Sequence, residues 1–313
     1  MAALLCWTGC ASAPDFKPRL KDIRPLPKFF LQEIVTRSQA AGLKLRIYKT
    51  GSVTVAGDVL SDLKSSNSRV RLDIPAFVLR HPTRGVVLFD AGLPAAAAMS
   101  GARQSANEFG EPFEPQAGLD LASQLEREGI GPGEVRWIIL SHLHWDHVGR
   151  VDAFPNATVM VDRREWEAQK EMTANNSGPE QFDPAAMEPN IRLRLVDFSS
   201  APAYGVFDHG LDLFSDGSMF LLELSGHTPG SMGLWVNLDA GPALLAGDAS
   251  WILDNHQDLA LPLRQSMHAP LQYWRKLNML KQMQDAVPQL IIFPGHDLMP
   301  LKLQPRPDIS LAP

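Results

Sequence analysis

Positions 141 to 149 read SHLHWDHVG, and within six of them the chain sets His142, His144, Asp146 and His147. Only nine histidines occur in 313 residues, so three in one short stretch form a concentration of ligand chemistry. Imidazole nitrogens and carboxylate oxygens are the donors that hold zinc and other divalent ions. An ion needs donors from several rigid places, and the rest of the chain must supply them.

Three further segments follow the same pattern of an apolar strand, a turn and a ligand type. LLELSGHTPG presents His227, ALLAGD presents Asp248, and LIIFPGHD presents His296. Strand ends are rigid places from which loops project side chains into a common site. Seven nitrogen and oxygen donors exceed what one tetrahedral zinc uses and suit two ions that share a bridging carboxylate. Both cysteines, Cys6 and Cys10, lie in the first ten residues, so no thiolate from Ala11 onward takes part in metal binding or catalysis. His81, His209, His256 and His268 lack such framing and are read as structural.

The pattern between these segments predicts an α/β chain. Leu43–Tyr48 and Ser52–Ala56 alternate like edge strands, and IPAFVLRHPTRGVVLFDAGL, from Ile74, reads as a hairpin around Pro-Thr-Arg-Gly. Leu119–Glu128, Arg163–Met172 and Leu271–Ala286 carry helical patterns. VRWIIL, ATVMVD, MFLLELSG and MGLWVNL read as strands, whereas 95–115 and 173–189 read as loops. Strands mixed with helices in both halves predict two packed sheets with helices outside, an αββα sandwich, as one domain over residues 40–313. Met99, Phe109, Phe113, Met172, Phe182 and Met187, in or beside the two loops, are candidates for an acyl pocket or for ordinary packing. A net charge of −6 argues against a nucleic-acid surface, and no apolar run reaches the ~20 residues that span a bilayer.

With these residues in place, the chain resembles the metallo-β-lactamase-fold hydrolases: H-x-H-x-D-H, then His in Gly-His-Thr-Pro-Gly, then Asp, then His. The resemblance implies two mixed β-sheets with helices on their outer faces. It also implies one ion held by His142, His144 and His227, a second by Asp146, His147 and His296, and Asp248 bridging them. Two divalent ions are expected, zinc first, with iron, cobalt or manganese compatible with the same donors. Class B β-lactamases with a cysteine ligand are excluded, and so is the flavodiiron pattern. FDAGL, HLHWDHVG, SDGS, GHTPGS, GDAS and PGHD are similar to the N-acyl-homoserine lactone lactonases that quench quorum sensing. That likeness implies attack of a metal-bridging hydroxide on the lactone carbonyl, with Asp146 orienting it and passing its proton to the leaving alkoxide. Those lactonases usually carry tyrosine three residues after the bridging aspartate, where this chain has Trp251 as the candidate group beside the substrate carbonyl. Asp90 and Thr228 are candidates to buttress the histidines. A thioester, phosphodiester or aryl-ester hydrolase of the same fold is the alternative, and a non-catalytic metal-binding module of the envelope is the alternative from another class.

The first 39 residues form a separate tether. MAALLCWTGCASAPDFKPRL resembles the end of a bacterial lipoprotein signal, without the basic start such signals carry. Cys10 would be the lipidated residue, placing the protein in the cell envelope, with a cytoplasmic location as the alternative. The expected partner is a small ester or lactone, with membrane contact only through that anchor and no nucleic acid. A homodimer is compatible with the sequence.

Overall fold

The computed structural model describes residues 42–95, 111–175 and 183–313. The 1–39 tether with Cys10 therefore lies outside the described residues, as do Met99, Phe109 and Phe182. Among the described residues no helix is long and apolar enough to cross a membrane.

The strands run in chain order as β1 (Lys44–Ala56), β2 (Arg69–His81), β3 (Gly85–Phe89), β4 (Phe113–Pro115), β5 (Val135–Ile139), β6 (Thr158–Asp162) and β7 (Arg192–Val196). They continue as β8 (Gly210–Asp212), β9 (Met219–Glu223), β10 (Met232–Leu238), β11 (Gly241–Leu245), β12 (Ile291–Phe293) and β13 (Ile309–Leu311). One sheet has the order β13-β1-β2-β3-β5-β6-β7, with β4 on β1; the other is β12-β11-β10-β9-β8. Both are mixed. The first is antiparallel across β1-β2-β3 and parallel from β3 to β7, and the second is antiparallel except for the β11-β12 pair.

The two sheets face each other over one apolar layer. Leu45, Phe77, Leu79, Phe89 and Ile139 of the first meet Met219, Leu234, Val236, Leu245 and Phe293 of the second. Outside the first sheet pack α1 (Leu121–Arg127), through Leu121 and Leu125, and α2 (Arg163–Ala174), through Trp166. Outside the second packs α3 (Pro270–Ala286), through Leu280 and Met283. Strand β10 lies between those layers with all seven residues buried, which is why MGLWVNL reads as a continuous apolar run rather than an alternation.

Two expectations need adjustment. The strand pair expected at 43–48 and 52–56 is a single bent β1, whose register against β2 shifts between Lys49 and Gly51. A side chain at Gly51 would come within 2.6 Å of Leu93 Cδ1 and 3.0 Å of Glu114 O, so glycine there lets Leu93 and β4 pack closely against the bend. The 95–115 loop ends in a short strand, β4, which pairs with β1.

Candidate metal centre

The ligand-bearing turns leave their strands at one edge of the sandwich and are stitched there by backbone bonds. Met232 N donates to Ser141 O, joining the turn after β5 to the second sheet; Ala246 N donates to Phe293 O, and His296 N to Trp251 O. His142, His144, Asp146 and His147 thus arrive from the first sheet, and His227, Asp248 and His296 from the second.

The structure gathers all seven. Ligand atoms of His142, His144, His227 and Asp248 lie within 4.8 Å of one another, as do those of Asp146, His147 and His296. Asp248 faces both groups with different oxygens. Its Oδ2 is 3.8 Å from His142 Nε2 and 3.5 Å from His227 Nε2; its Oδ1 is 3.4 Å from His147 Nε2 and 3.3 Å from His296 Nε2. His227 Nε2 stands 3.1 Å from His144 Nδ1, and Asp146 Oδ2 stands 3.9 and 3.6 Å from His147 and His296 Nε2. Donors about 2.0–2.1 Å from a tetrahedral ion lie roughly 3.3 Å apart, and these spacings fall around that value. Gly295 makes room for this: a Cβ there would come 2.1 Å from Asp248 Oδ1.

Four imidazoles have one nitrogen committed away from the centre. His147 Nδ1–H donates to Asp90 Oδ2 at 2.8 Å, His227 Nδ1–H to Ser266 O at 2.7 Å, and His296 Nδ1–H to Asp73 O at 3.1 Å. The Ser141 hydroxyl donates to Asp90 Oδ2, and its oxygen then accepts from His142 Nδ1–H at 2.9 Å. These bonds fix the tautomer and turn each Nε2 lone pair inward. His142 Nε2, His147 Nε2 and Asp248 Oδ1 are buried without a hydrogen-bond partner. Such orphans are costly, and a divalent ion satisfies them, so the donor set fits the expected metal.

Charge divides the centre. Burial, then neighbouring imidazoles, hold His142 and His144 well below the usual histidine range, and burial lowers His227. Burial opposes a charge on His147 too, yet Asp248, Asp146 and Asp90 outweigh it and raise that residue to about 10. His296 is likewise raised against burial by Asp248 and Asp146. Asp248, although buried, is held well below the carboxylate range by His296 and His147. The carboxylates therefore make this a site for positive charge.

Asp90 directly follows β3, with a φ of 57°, and accepts from Ser141 N at 2.7 Å as well as from His147. It buttresses the motif from the first sheet. Thr228 bonds Ser231 Oγ at 2.6 Å and the Glu165 carboxylate. Trp251 is buried with Val53, Leu72, Ile74, Leu93 and Phe113, its ring edge-on to His227 at 5.5 Å. The SDGS segment lies elsewhere, in the β8–β9 turn, where Asp216 Oδ2 is 3.2 Å from His81 Nε2. Phe113 is core packing, whereas Met172 lines a cavity of about 810 Å³ shared with His144, His227, Pro229 and His268. Sequence reasoning missed Glu165, buried in the first turn of α2 and bonded to Leu143 N and Gly230 N.

The family model described as metallo-beta-lactamase superfamily matches residues 70–296. An N-acyl homoserine lactonase, AttM, of Azorhizobium caulinodans is 27% identical over 229 residues, covering 70% of this chain and 81% of that protein. An N-acyl homoserine lactonase from a Bacillus species is 29% identical over 253 residues, covering 78% and 91%. A variant of Bacillus thuringiensis AiiA, crystallised with N-decanoyl-L-homoserine at its active site, superposes with a TM-score of 0.67 at 23% identity, covering 85% and 97%. AidC, a dizinc quorum-quenching lactonase in complex with a product, superposes with a TM-score of 0.59 at 17% identity, covering 84% and 90%.

Proposed function

Because the chain belongs to the metallo-beta-lactamase superfamily, we propose that it is a dinuclear metal hydrolase that opens the ring of N-acyl-homoserine lactones. The observation that carries this reading is the division of Asp248, one oxygen toward His142 and His227 and the other toward His147 and His296. The relatives named as lactonases supply the substrate class. Zinc is the proposed metal, since nitrogen and oxygen donors at these spacings suit it and AidC is described as dizinc.

Two such ions, once bound, would supply Lewis acidity and bring the pKa of a bound water down to about 7. The protein's own groups do the rest. His142, His144 and His227 form one half of the cage; Asp146, His147 and His296 form the other. Asp146 stands at the edge of the cage, where its carboxylate orients the attacking water, accepts its proton and hands it to the leaving alkoxide. The cavity of about 810 Å³ beside His144 and His227 is of a size that holds a small-molecule ligand. Trp251 packs behind His227, edge-on to its ring at 5.5 Å, and does not itself line that cavity.

A panel of acyl-homoserine lactones, a thioester, a phosphodiester and an aryl ester, offered to the metal-loaded protein, tests the reading. Ring opening, followed as acid release, should be the fastest reaction. Rapid ester or thioester cleavage with no lactone turnover would overturn the lactone assignment while leaving the hydrolase in place.

A further inference from the structure

We propose that Glu165 is a positioning residue of the metal centre, tying the turn that carries His142 and His144 to the turn that carries His227. It thereby sets the spacing of the three-histidine half of the cage. The inference rests on the dinuclear reading above and adds a residue to it.

Glu165 is 4% exposed and lies in the first turn of α2. Its Oε1 accepts from Leu143 N at 3.1 Å, between the two histidines of one turn. Its Oε2 accepts from Gly230 N at 2.9 Å, three residues past His227 in the other. The Thr228 hydroxyl is a third partner on that second turn. One rigid carboxylate thus spans two loops that come from different sheets, and both N–H groups would otherwise be buried without an acceptor.

The approach is close by construction. A Cβ on Gly230 would come 2.5 Å from Glu165 N and 2.6 Å from Glu165 Cβ, so only glycine lets the turn reach the helix. A buried carboxylate is expensive unless its lone pairs are filled. Among the described residues no arginine or lysine pairs with Glu165; backbone N–H groups, a hydroxyl and the N-terminal end of α2 hold it instead. Asp90 plays the matching part on the opposite side, reaching Ser141 and His147. Two carboxylates therefore bracket the histidine motif. Asp90 holds His147 directly and His142 through Ser141, whereas Glu165 alone ties the turn of His142 and His144 to the turn of His227.

The test reads metal rather than turnover. Wild-type protein, Glu165→Gln and Gly230→Ala are loaded with zinc, dialysed against graded chelator and analysed for bound ions; cobalt-loaded samples supply the d–d spectrum. In Glu165→Gln an amide NH₂ must face a backbone N–H. In Gly230→Ala the carboxylate stays and the turn is pushed off it. Both variants should release one of their two ions at about 10–100-fold weaker chelation than wild type, keep the other, and show a changed cobalt spectrum. Gly230→Ala carries the test alone if the glutamine variant does not fold. Folded variants that hold both ions as wild type does, with an unchanged cobalt spectrum, would overturn the proposal, and so would loss of both ions together. A wild-type protein that binds fewer than two ions would instead overturn the dinuclear reading itself.

Discussion

Trp251 is fixed more by its backbone than by its ring. Its N–H donates to Asn255 Oδ1 at 2.9 Å and its carbonyl accepts from His296 N at 3.0 Å, so position 251 is pinned between Asp248 and His296 whatever side chain it bears. Trp251→Tyr trades an indole for a smaller ring with a hydroxyl that can donate to a carbonyl. Lactone turnover should hold or rise, and stability should fall by about 1–3 kcal/mol from the void left in the apolar cluster. Steady-state kinetics and thermal melts check both; complete loss of turnover at full metal content would show that the indole does something a phenol cannot. The seven donor positions were legible in the sequence because each stands just beyond an apolar strand. Glu165 was not legible, since a glutamate in the first turn of a helix usually reads as a solvated charge that favours the helix dipole. The carbonyls of Ser266 and Asp73, which accept from His227 and His296, belong to the backbone and leave no trace in residue type.

The short helix Leu253–Gln257 shows how an element supports the site from behind. His256 within it is fully buried and bonds Ser250 Oγ through Nδ1 at 2.9 Å, two residues past Asp248. Burial drives its pKa down from 6.5 to about 4. The folded protein therefore keeps His256 neutral where the unfolded chain would protonate it. Its contribution is intact above pH 6.5 and is lost as the pH falls toward 4, by about 3 kcal/mol in all. Urea melts across that window should show wild-type stability falling more steeply than that of His256→Gln. Parallel curves for the two proteins would contradict the assignment. The longer strands were readable from alternation and from apolar runs, whereas the three-residue strands β4, β8 and β13 were not. The continuity of β1 was not, because a bulge interrupts period-two patterning; nor was the return of β13 to β1, which spans some 260 residues of chain and has no local signal.

At the scale of the molecule, the centre is a clasp between two sheets. Each half of the cage draws donors from both: His142 and His144 with His227 in one, Asp146 and His147 with His296 in the other. Ions that bind only the folded protein stabilise it by mass action, by about 4 kcal/mol at a free concentration a thousandfold above Kd. Chelation should accordingly lower the melting temperature of the whole protein, and scanning calorimetry before and after metal return should show a single reversible shift. An unchanged melt in protein proven metal-free would mean that the sheets do not depend on the clasp.

Asp248 is placed to serve two ions at once, and elemental analysis of the purified protein, paired with activity during stepwise chelation, tests this most directly. Two equivalents of divalent metal per chain should be found, with hydrolysis falling as they are removed and recovering as they return. One equivalent or fewer with full hydrolytic activity, or activity that survives complete chelation, would contradict it.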